Sequence, residues 1–370
     1  FPSQDKAVKV STIAFAILSS LPILEGQIAN AEVFMVIFII AGILRILSGN
    51  FNNKSAFIVG LLFSFGTLFK IPAATDFAAV SVFLLLFIPQ TRSEFKEKFI
   101  RVFIISIGFA IPIIITFIFY WLQGILKEYA IAAFLQNFGY LSTWKGSNTG
   151  IYLRTALLLA TIVILWLSRK KLTIQPSLIS LWFIFSLYGA TLSDRPYPHY
   201  LFQVLPSFCL LIGIIIAKNK IFPKFIAALF LFSVTILYFF FFWHYPVLSY
   251  YRNFFLFSFG LETKDTYQAN LGAKNNYPLA DFINQHNLKD EKVFIWGEDS
   301  PCIYALSRRL PVGRYVAAYH ILDFNGLKET AAAITREEPR FIIDLKTEKV
   351  PYPQLSTILQ NKYHFYKRID

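Results

Sequence analysis

The chain of 370 residues is 56% hydrophobic and only 15% charged, and its mean hydropathy is +0.53. These values exclude an ordinary soluble globular protein and are typical of a polytopic membrane protein. The net charge is +13. Residues 1–244 contain 19 basic and 8 acidic residues, so +11 of this charge belongs to the apolar part of the chain. The charge therefore indicates membrane topology and contact with anionic lipid, and it does not call for nucleic acid.

Nine apolar runs are candidates for membrane-spanning helices, which need about 20 residues each. They lie at 8–24, 32–48, 55–70, 73–90, 99–122, 150–168, 175–193, 199–217 and 221–243. Only Lys70-Ile71-Pro72 separates the third run from the fourth, so this pair is two spans, one broken helix or a re-entrant hairpin. The sequence therefore predicts a mostly α protein built around a polytopic bundle of about nine spans.

Basic residues fall in every second loop, and by the positive-inside rule those loops face the cytoplasm. They are Arg45, Lys54, Arg92, Lys96, Lys98, Arg101, Arg169, Lys170, Lys171, Lys218, Lys220 and Lys224. The loops between them contain no basic cluster and are predicted to face outward. We therefore expect a multi-pass protein of the plasma (inner) membrane whose C-terminal part lies outside the cytoplasm.

The pattern becomes that of a small α/β domain in the last third of the chain. Helices are predicted at 278–286 and 301–308, and buried strands at 292–296 and 341–345. Two domains follow from this change. They are a transmembrane domain at 1–245 and an extracytoplasmic α/β cap at 246–370.

Polar and ionisable residues of the outward loops are the candidates for a functional site. An ionisable group beside hydrocarbon is tolerated mainly where it faces a bundle interior or a watery cavity. Cations there would hold a lipid-linked phosphate, while carboxylates would position a hydroxyl or act as a base. The predicted catalytic residues are Glu25 and Glu32, and the predicted substrate-binding residues are Asn30, Lys70, Arg154, Asp194, Arg195, His199 and Tyr200.

Each candidate also has a purely structural interpretation. Glu25 and Glu32 would suit the start of the next helix, where the positive end of the dipole attracts carboxylates. Lys70 and Arg154 would extend along apolar surface towards water. An exposed ion pair of little energetic value would account for Asp194 with Arg195, and an interfacial aromatic belt for His199.

The sequence contains no Walker, Rossmann, HExxH or CxxC signature, so it gives no support to ATP-driven transport, dinucleotide chemistry or a zinc peptidase. No cofactor is identified. No cluster of metal-ligating residues has a convincing spacing, which leaves dependence on a divalent metal open.

Four segments, at 24–35, 66–72, 198–206 and 293–297, together resemble a known family. The last is accompanied by Tyr304, Arg308, Pro311, Arg314 and Tyr315. In their order and topology they resemble the bacterial branch of the GT-C glycosyltransferases of the dolichyl-phosphate-mannose protein mannosyltransferase superfamily. That superfamily includes the aminoarabinose transferases that act on lipid A.

The resemblance implies a hexosyl- or pentosyltransferase that inverts the configuration at the anomeric carbon of the sugar. Its donor would be a polyprenyl-phosphate-linked sugar, and its acceptor a protein, lipid or glycan on the outer face of the membrane. It also implies that Glu32 lies near the catalytic cavity, that Lys70 contacts the donor phosphate or the cavity, and that His199 and Tyr200 belong to the cavity wall.

The family's principal catalytic acid lies in a first outer loop that nothing in this sequence matches. We therefore expect about two spans and that loop to precede residue 1, and the chain as given to be inactive. Two other classes of function stay open. The first covers proteins that handle lipid-linked oligosaccharide, either as a transporter or flippase or as a polymerase or ligase. The second is a non-catalytic scaffold.

Overall fold

The chain divides into two compact units, Phe1–Tyr245 and Pro246–Asp370, which are called unit 1 and unit 2 below. The computed structural model describes residues 2–21, 24–26, 28–49, 51–88, 92–136, 149–169, 172–193, 197–217, 231, 233–235, 238, 247–286 and 290–369. Helices dominate the described part of both units.

Unit 1 consists of packed helices joined by short turns. The α-helices are α1 (Pro2–Ser19), α2 (Ala31–Leu47), α3 (Asn53–Phe69), α4 (Ala74–Val82), α5 (Arg92–Leu122), α6 (Leu126–Ala130), α7 (Thr149–Ser168), α8 (Ile174–Ala190) and α9 (Leu205–Ala217). Two 3-10 turns lie at Ile71–Ala73 and Pro198–Gln203, and single turns of π-helix at Phe83–Phe87 and Ile131–Leu135.

The start and the end of α3 both have clear physical causes. The side chain of Asn52 accepts a hydrogen bond of 3.0 Å from the backbone N–H of Ser55, which caps the helix. At the other end, Lys70 adopts an extended backbone with φ −155° and ψ 122°. Because Pro72 follows closely and has no N–H to donate, the helix cannot continue through this point. The chain therefore breaks at Lys70 and resumes as α4.

Close packing against small residues sets the positions of α2, α3 and α5. A Cβ atom added at Gly60 of α3 would meet the backbone carbonyl of Ile105, and one added at Gly108 of α5 would meet that of Phe57. The two helices therefore approach at backbone distance. On the other side of α3, Gly66 lies against Ile39 of α2, so the start of α2 and the end of α3 share one end of the unit.

The turn Pro198–Gln203 collects the ends of several helices. It packs against α2, α8 and α9, and the ring of Phe202 contacts that of Phe15 in α1 at 6.5 Å between centroids. The end of α3 reaches it through Pro72, whose carbonyl accepts a hydrogen bond of 3.1 Å from Gln203. Basic side chains lie at the opposite ends of these helices, with Arg45 in the last turn of α2 and Lys54 in the first turn of α3.

The predicted bundle of about nine spans is wrong. Within the described residues, two helical segments are long and apolar enough to cross a membrane, Phe95–Leu122 and Gly150–Ser168. Several other predicted runs form helices that are too short. Helices α2, α3 and α8 have 17 residues each, and the run at 199–217 is divided between a 3-10 turn and the 13 residues of α9. The ninth run, 221–243, lies outside the described residues except at 231, 233–235 and 238.

Both candidate spans turn most of their apolar surface outward. Only 17% of the residues in the apolar window of the first span and 22% in that of the second are buried inside the structure. Their exposed side chains include Phe103, Ile115, Trp121, Leu159 and Leu167. A protein in water rarely leaves such continuous apolar area uncovered, so this surface is a candidate for contact with lipid or another apolar partner.

Unit 2 combines helices with one small parallel sheet. Its elements are α10 (Val247–Ser258), α11 (Lys264–Asn270), α12 (Asn276–His286), β1 (Phe294–Trp296), α13 (Ser300–Ser307), α14 (Ala318–Asp323), α15 (Leu327–Glu337), β2 (Ile342–Asp344) and α16 (Pro353–Lys362). Strands β1 and β2 pair in parallel, with Phe294 opposite Ile342 and Trp296 opposite Asp344. The predicted strands at 292–296 and 341–345 are confirmed, as are the predicted helices at 278–286 and 301–308.

Residues near the end of β1 have structural roles in unit 2. Trp296 is buried and packs on Tyr352 at 4.9 Å between ring centroids. Gly297 has φ +147°, and a Cβ atom added there would lie 2.7 Å from that of Leu345. The hydroxyl of buried Tyr304 accepts a hydrogen bond of 2.9 Å from the N–H of Ile295 and donates one of 3.1 Å to the carbonyl of Val293. Tyr304 therefore fixes the free edge of β1 to α13.

We predict that Tyr304→Phe weakens unit 2 by about 1–2 kcal/mol, because the buried N–H of Ile295 then loses its acceptor. Amide hydrogen exchange at Ile295 in the complete protein would become faster. The variant Tyr319→Phe, at an exposed tyrosine, serves as the control and should leave this exchange rate unchanged. Equal exchange at Ile295 in Tyr304→Phe and the unmodified protein would contradict the assigned role.

The same contact gives a pH dependence. Burial raises the pKa of Tyr304 above its ordinary value, so the folded state keeps this proton at pH values where the unfolded chain releases it. The stabilisation is therefore complete below about pH 10, the ordinary tyrosine pKa, and is lost as the pH rises further. The difference between Tyr304→Phe and the unmodified protein should accordingly shrink above that pH.

Candidate functional site

A buried carboxylate and a lysine form the centre of the candidate site. Glu32 lies in the first turn of α2 and is only 2% exposed. Its Oε1 accepts a hydrogen bond from Nζ of Lys70, which follows α3 directly. The same ammonium lies 3.9 Å from the ring centroid of Tyr200, a distance that allows a cation–π interaction. Residues from α2, α3 and the turn Pro198–Gln203 thus meet around one positive charge.

A second contact at this turn joins Glu25 to His199, the residue before Tyr200. Nδ1 of His199 is 2.9 Å from Oε2 of Glu25, although the angle does not meet that of a hydrogen bond. The side-chain amide of Asn30 donates a hydrogen bond of 3.0 Å to the same oxygen. Glu25 and His199 are each partly exposed, at 24% and 20% of their side chains. This carboxylate is therefore far more accessible to water or a ligand than that of Glu32.

The backbone holds Glu25 in an uncommon conformation. Its φ of +54° is in the left-handed region, which non-glycine residues occupy infrequently. The following Gly26 approaches the end of α1 so closely that an added Cβ atom would meet the carbonyl of Ser19. Packing of this loop against α1 therefore imposes the strained position of Glu25, and such local strain is a feature found at functional sites.

Aromatic contacts join the two pairs into one cluster. The rings of His199 and Tyr200 meet edge to face at 4.8 Å, and Tyr197 stacks on His199 at 5.6 Å. The sequence-predicted residues Glu25, Asn30, Glu32, Lys70, His199 and Tyr200 are thus brought together around one turn.

The Glu32–Lys70 pair opens onto a cavity of about 120 Å³. Its lining consists of Glu32, Lys70, Ile71, Pro72, Gly189, Ala190, Leu192, Ser193, Tyr200 and Gln203. The two charged side chains stand among mostly apolar surroundings, where the electrostatic attraction of an ion is much less screened than in water. An anion at this cavity would meet the ammonium of Lys70, whose charge Glu32 offsets in part.

The structure places the remaining candidates differently. Arg154 is buried in α7, where its Nε donates a hydrogen bond of 2.9 Å to the carbonyl of Gly150 and its guanidinium donates another to the carbonyl of Thr191. It thereby ties α7 to the end of α8. Asp194 and Arg195 lie outside the described residues.

Sequence reasoning missed a buried polar cluster beside the cavity. Asp76 of α4 is completely buried, and its carboxylate accepts hydrogen bonds of 2.6 Å from Ser186 of α8 and 2.8 Å from Gln203. The indole of Trp182 faces the same carboxylate without forming a hydrogen bond of good geometry. One signal was available, since a lone carboxylate within an apolar run marks a position that needs partners.

The part of the chain that the structure describes contains no group of three or more His, Cys, Asp and Glu residues arranged to hold a metal ion. Family models, curated proteins and solved structures give no match to this chain. The family resemblance therefore stays a prediction.

We predict that Lys70→Met destabilises unit 1 by up to about 3 kcal/mol, because it leaves the buried carboxylate of Glu32 without its partner. The double variant Glu32→Gln with Lys70→Met should recover most of that loss. Thermal unfolding in detergent would measure both. The exposed pair of Arg314 and Glu329 is the control, where Arg314→Met should cost less than about 1 kcal/mol. A double variant as unstable as Lys70→Met alone would contradict the pairing.

Proposed function

We propose that this protein is an integral membrane glycosyltransferase that moves a sugar from a polyprenyl-phosphate donor to an acceptor at the outer face of the membrane. The observation that carries the proposal is the Glu32–Lys70 pair, which presents an ammonium beside Tyr200 at a mostly apolar cavity. The substrate it suits has a phosphate group attached to an apolar chain.

Lys70 is the residue to which we assign the donor phosphate. An ammonium has three N–H donors, so a hydrogen bond to Glu32 leaves others for phosphate oxygens. Glu32 keeps the lysine side chain in place and partly neutralises its charge while the site is empty. When the sugar leaves the donor, negative charge grows on the phosphate, and a fixed cation in a weakly screened site stabilises that charge.

Glu25 is the residue to which we assign the acceptor hydroxyl. Its carboxylate is partly exposed and is oriented by Asn30 and His199. In the reaction the acceptor oxygen forms a bond to the anomeric carbon, the bond from that carbon to the phosphate oxygen breaks, and the hydroxyl proton passes to a base. Glu25 would orient the hydroxyl and take its proton as the base.

One feature supports contact between unit 1 and lipid. Most residues in the apolar window of each candidate span are exposed, as lipid contact requires. Arg45 and Lys54 lie at the far ends of α2 and α3, about 25 Å from the site for a helix of 17 residues. The proposal assigns the Glu32–Lys70 pair to the outer side because basic residues favour the cytoplasmic side of a membrane.

We predict that Lys70→Ala lowers the rate of sugar transfer about 100-fold, because the departing phosphate loses a fixed cation. Glu32→Gln should lower it less, since the lysine remains. The measurement is transfer of radiolabelled sugar from polyprenyl-phosphate donors in membranes that contain the product of the complete gene. Lys54→Ala, at the opposite end of the same helix, is the control and should retain full activity.

Two outcomes would overturn the proposal. Transfer that is unaffected by Lys70→Ala would remove this residue from the site. Absence of transfer from every donor tried, while lipid-linked glycan still crosses the bilayer, would favour a flippase.

A further inference from the structure

The buried carboxylate of Asp76 links three elements that border the cavity. Its Oδ1 accepts a hydrogen bond of 2.6 Å from the hydroxyl of Ser186, and its Oδ2 accepts one of 2.8 Å from the amide of Gln203. These partners belong to α8 and to the turn Pro198–Gln203, while Asp76 itself belongs to α4. Removing a carboxylate from water is costly, and these neutral partners repay that cost only in part.

Gln203 extends the link to the lysine. The same amide nitrogen lies 3.1 Å from the carbonyl oxygen of Pro72, two residues after Lys70. Gln203 also belongs to the 3-10 turn that carries Tyr200, and residues three apart lie on the same side of such a turn. One amide group therefore connects the carboxylate to both segments that position the ammonium of Lys70.

Helix α8 closes over this amide without spare room. A Cβ atom added at Gly189 would meet the hydroxyl of Thr75, and would lie 3.0 Å from both the Gln203 amide nitrogen and the Pro72 carbonyl. Thr75 donates a hydrogen bond of 2.8 Å to that same carbonyl. Because the side chains are enclosed on this side, a change at Asp76 must be accommodated by movement of Gln203 or of the segment at Pro72.

We propose that Asp76 and Gln203 are positioning residues. They fix the segment of Lys70 and Pro72 relative to the turn Pro198–Gln203, which contains Tyr200, and so set the shape of the cavity for the donor phosphate. This inference rests on the proposed function for its consequence in catalysis. Neither residue is assigned to the reacting atoms. Asp76 acts through Gln203, and Gln203 acts through Pro72 and the adjacent Lys70.

The test compares two buried serines of one helix. Ser180 and Ser186 are both fully buried in α8, and each hydroxyl lies within hydrogen-bond distance of the carbonyl four residues earlier. Of this pair, only the Ser186 hydroxyl also lies close to Asp76, to whose carboxylate it can donate its single proton. Ser186→Ala therefore removes one bond of the link, and Ser180→Ala is its matched control. Asp76→Asn is the stronger variant, because its amide has one acceptor oxygen where the carboxylate has two, so only one of the donors Ser186 and Gln203 keeps its partner.

Two measurements are made on each variant of the complete protein. The first is the yield of the amide cross-link that a membrane-permeant carbodiimide forms between Lys70 and Glu32, which requires no enzymatic activity. The second is the steady-state kinetics of sugar transfer. We expect Asp76→Asn and Ser186→Ala to lower the cross-link yield and to reduce kcat about 10-fold, because a small displacement of a contact group slows a reaction steeply. The donor KM should change less than kcat.

The outcomes separate the two proposals. A cross-link yield that falls in Ser186→Ala and not in Ser180→Ala supports the positioning role, even where no transfer is detected and the proposed function fails. Equal cross-link yields in both serine variants, with Asp76→Asn also unchanged, would overturn it. If Asp76→Asn does not accumulate in membranes, the two serine variants decide alone.

Discussion

The ion pair between Glu32 and Lys70 is the constraint on which the rest of unit 1 depends. A carboxylate that is almost fully buried is tolerable only with a close and permanent partner. That partner stands at the end of α3, so α2 must begin where α3 ends, and the close approach of these helices through Gly66 follows from the same requirement. The fold therefore places the ammonium of Lys70 beside the start of α2, where it lines a mostly apolar cavity.

Around this pair, polar groups take two different kinds of role. Glu32, Asp76 and Gln203 are buried and hold neighbouring segments together, whereas Glu25 and His199 are partly exposed. Burying groups of the first kind lowers the stability of the fold, but their bonds fix the positions of the segments that they join. In the proposed reaction, the partly exposed carboxylate of Glu25 accepts a hydrogen bond from the hydroxyl of the acceptor substrate. In the proposed function, this separation lets one short turn contact a phosphate on one side and a hydroxyl on the other.

The sequence predicted the small elements of unit 2 well because short apolar runs and a proline near the start of a helix are local signals. It also predicted the break at Lys70-Ile71-Pro72 between two apolar runs. It did not predict the 3-10 turn that divides the run at 199–217, because hydropathy does not distinguish that turn from the helix after it. The sequence identified Glu25, Glu32 and Lys70 as site candidates because ionisable groups beside apolar runs are unusual. It did not predict that Glu32 pairs with Lys70 or Glu25 with His199, since these residues meet only through tertiary packing. Asp76 likewise gains its partner from α8 only in the folded structure.

The most direct test of the central claim is whether the site binds a lipid phosphate through Lys70. Native mass spectrometry of the purified gene product in detergent would compare retention of a polyprenyl phosphate with that of the uncharged polyprenol of equal length. The account predicts that the phosphate is retained in preference to the alcohol, and that Lys70→Ala abolishes this preference while Lys54→Ala preserves it. Equal retention of the two lipids, or a preference that survives Lys70→Ala, would contradict it.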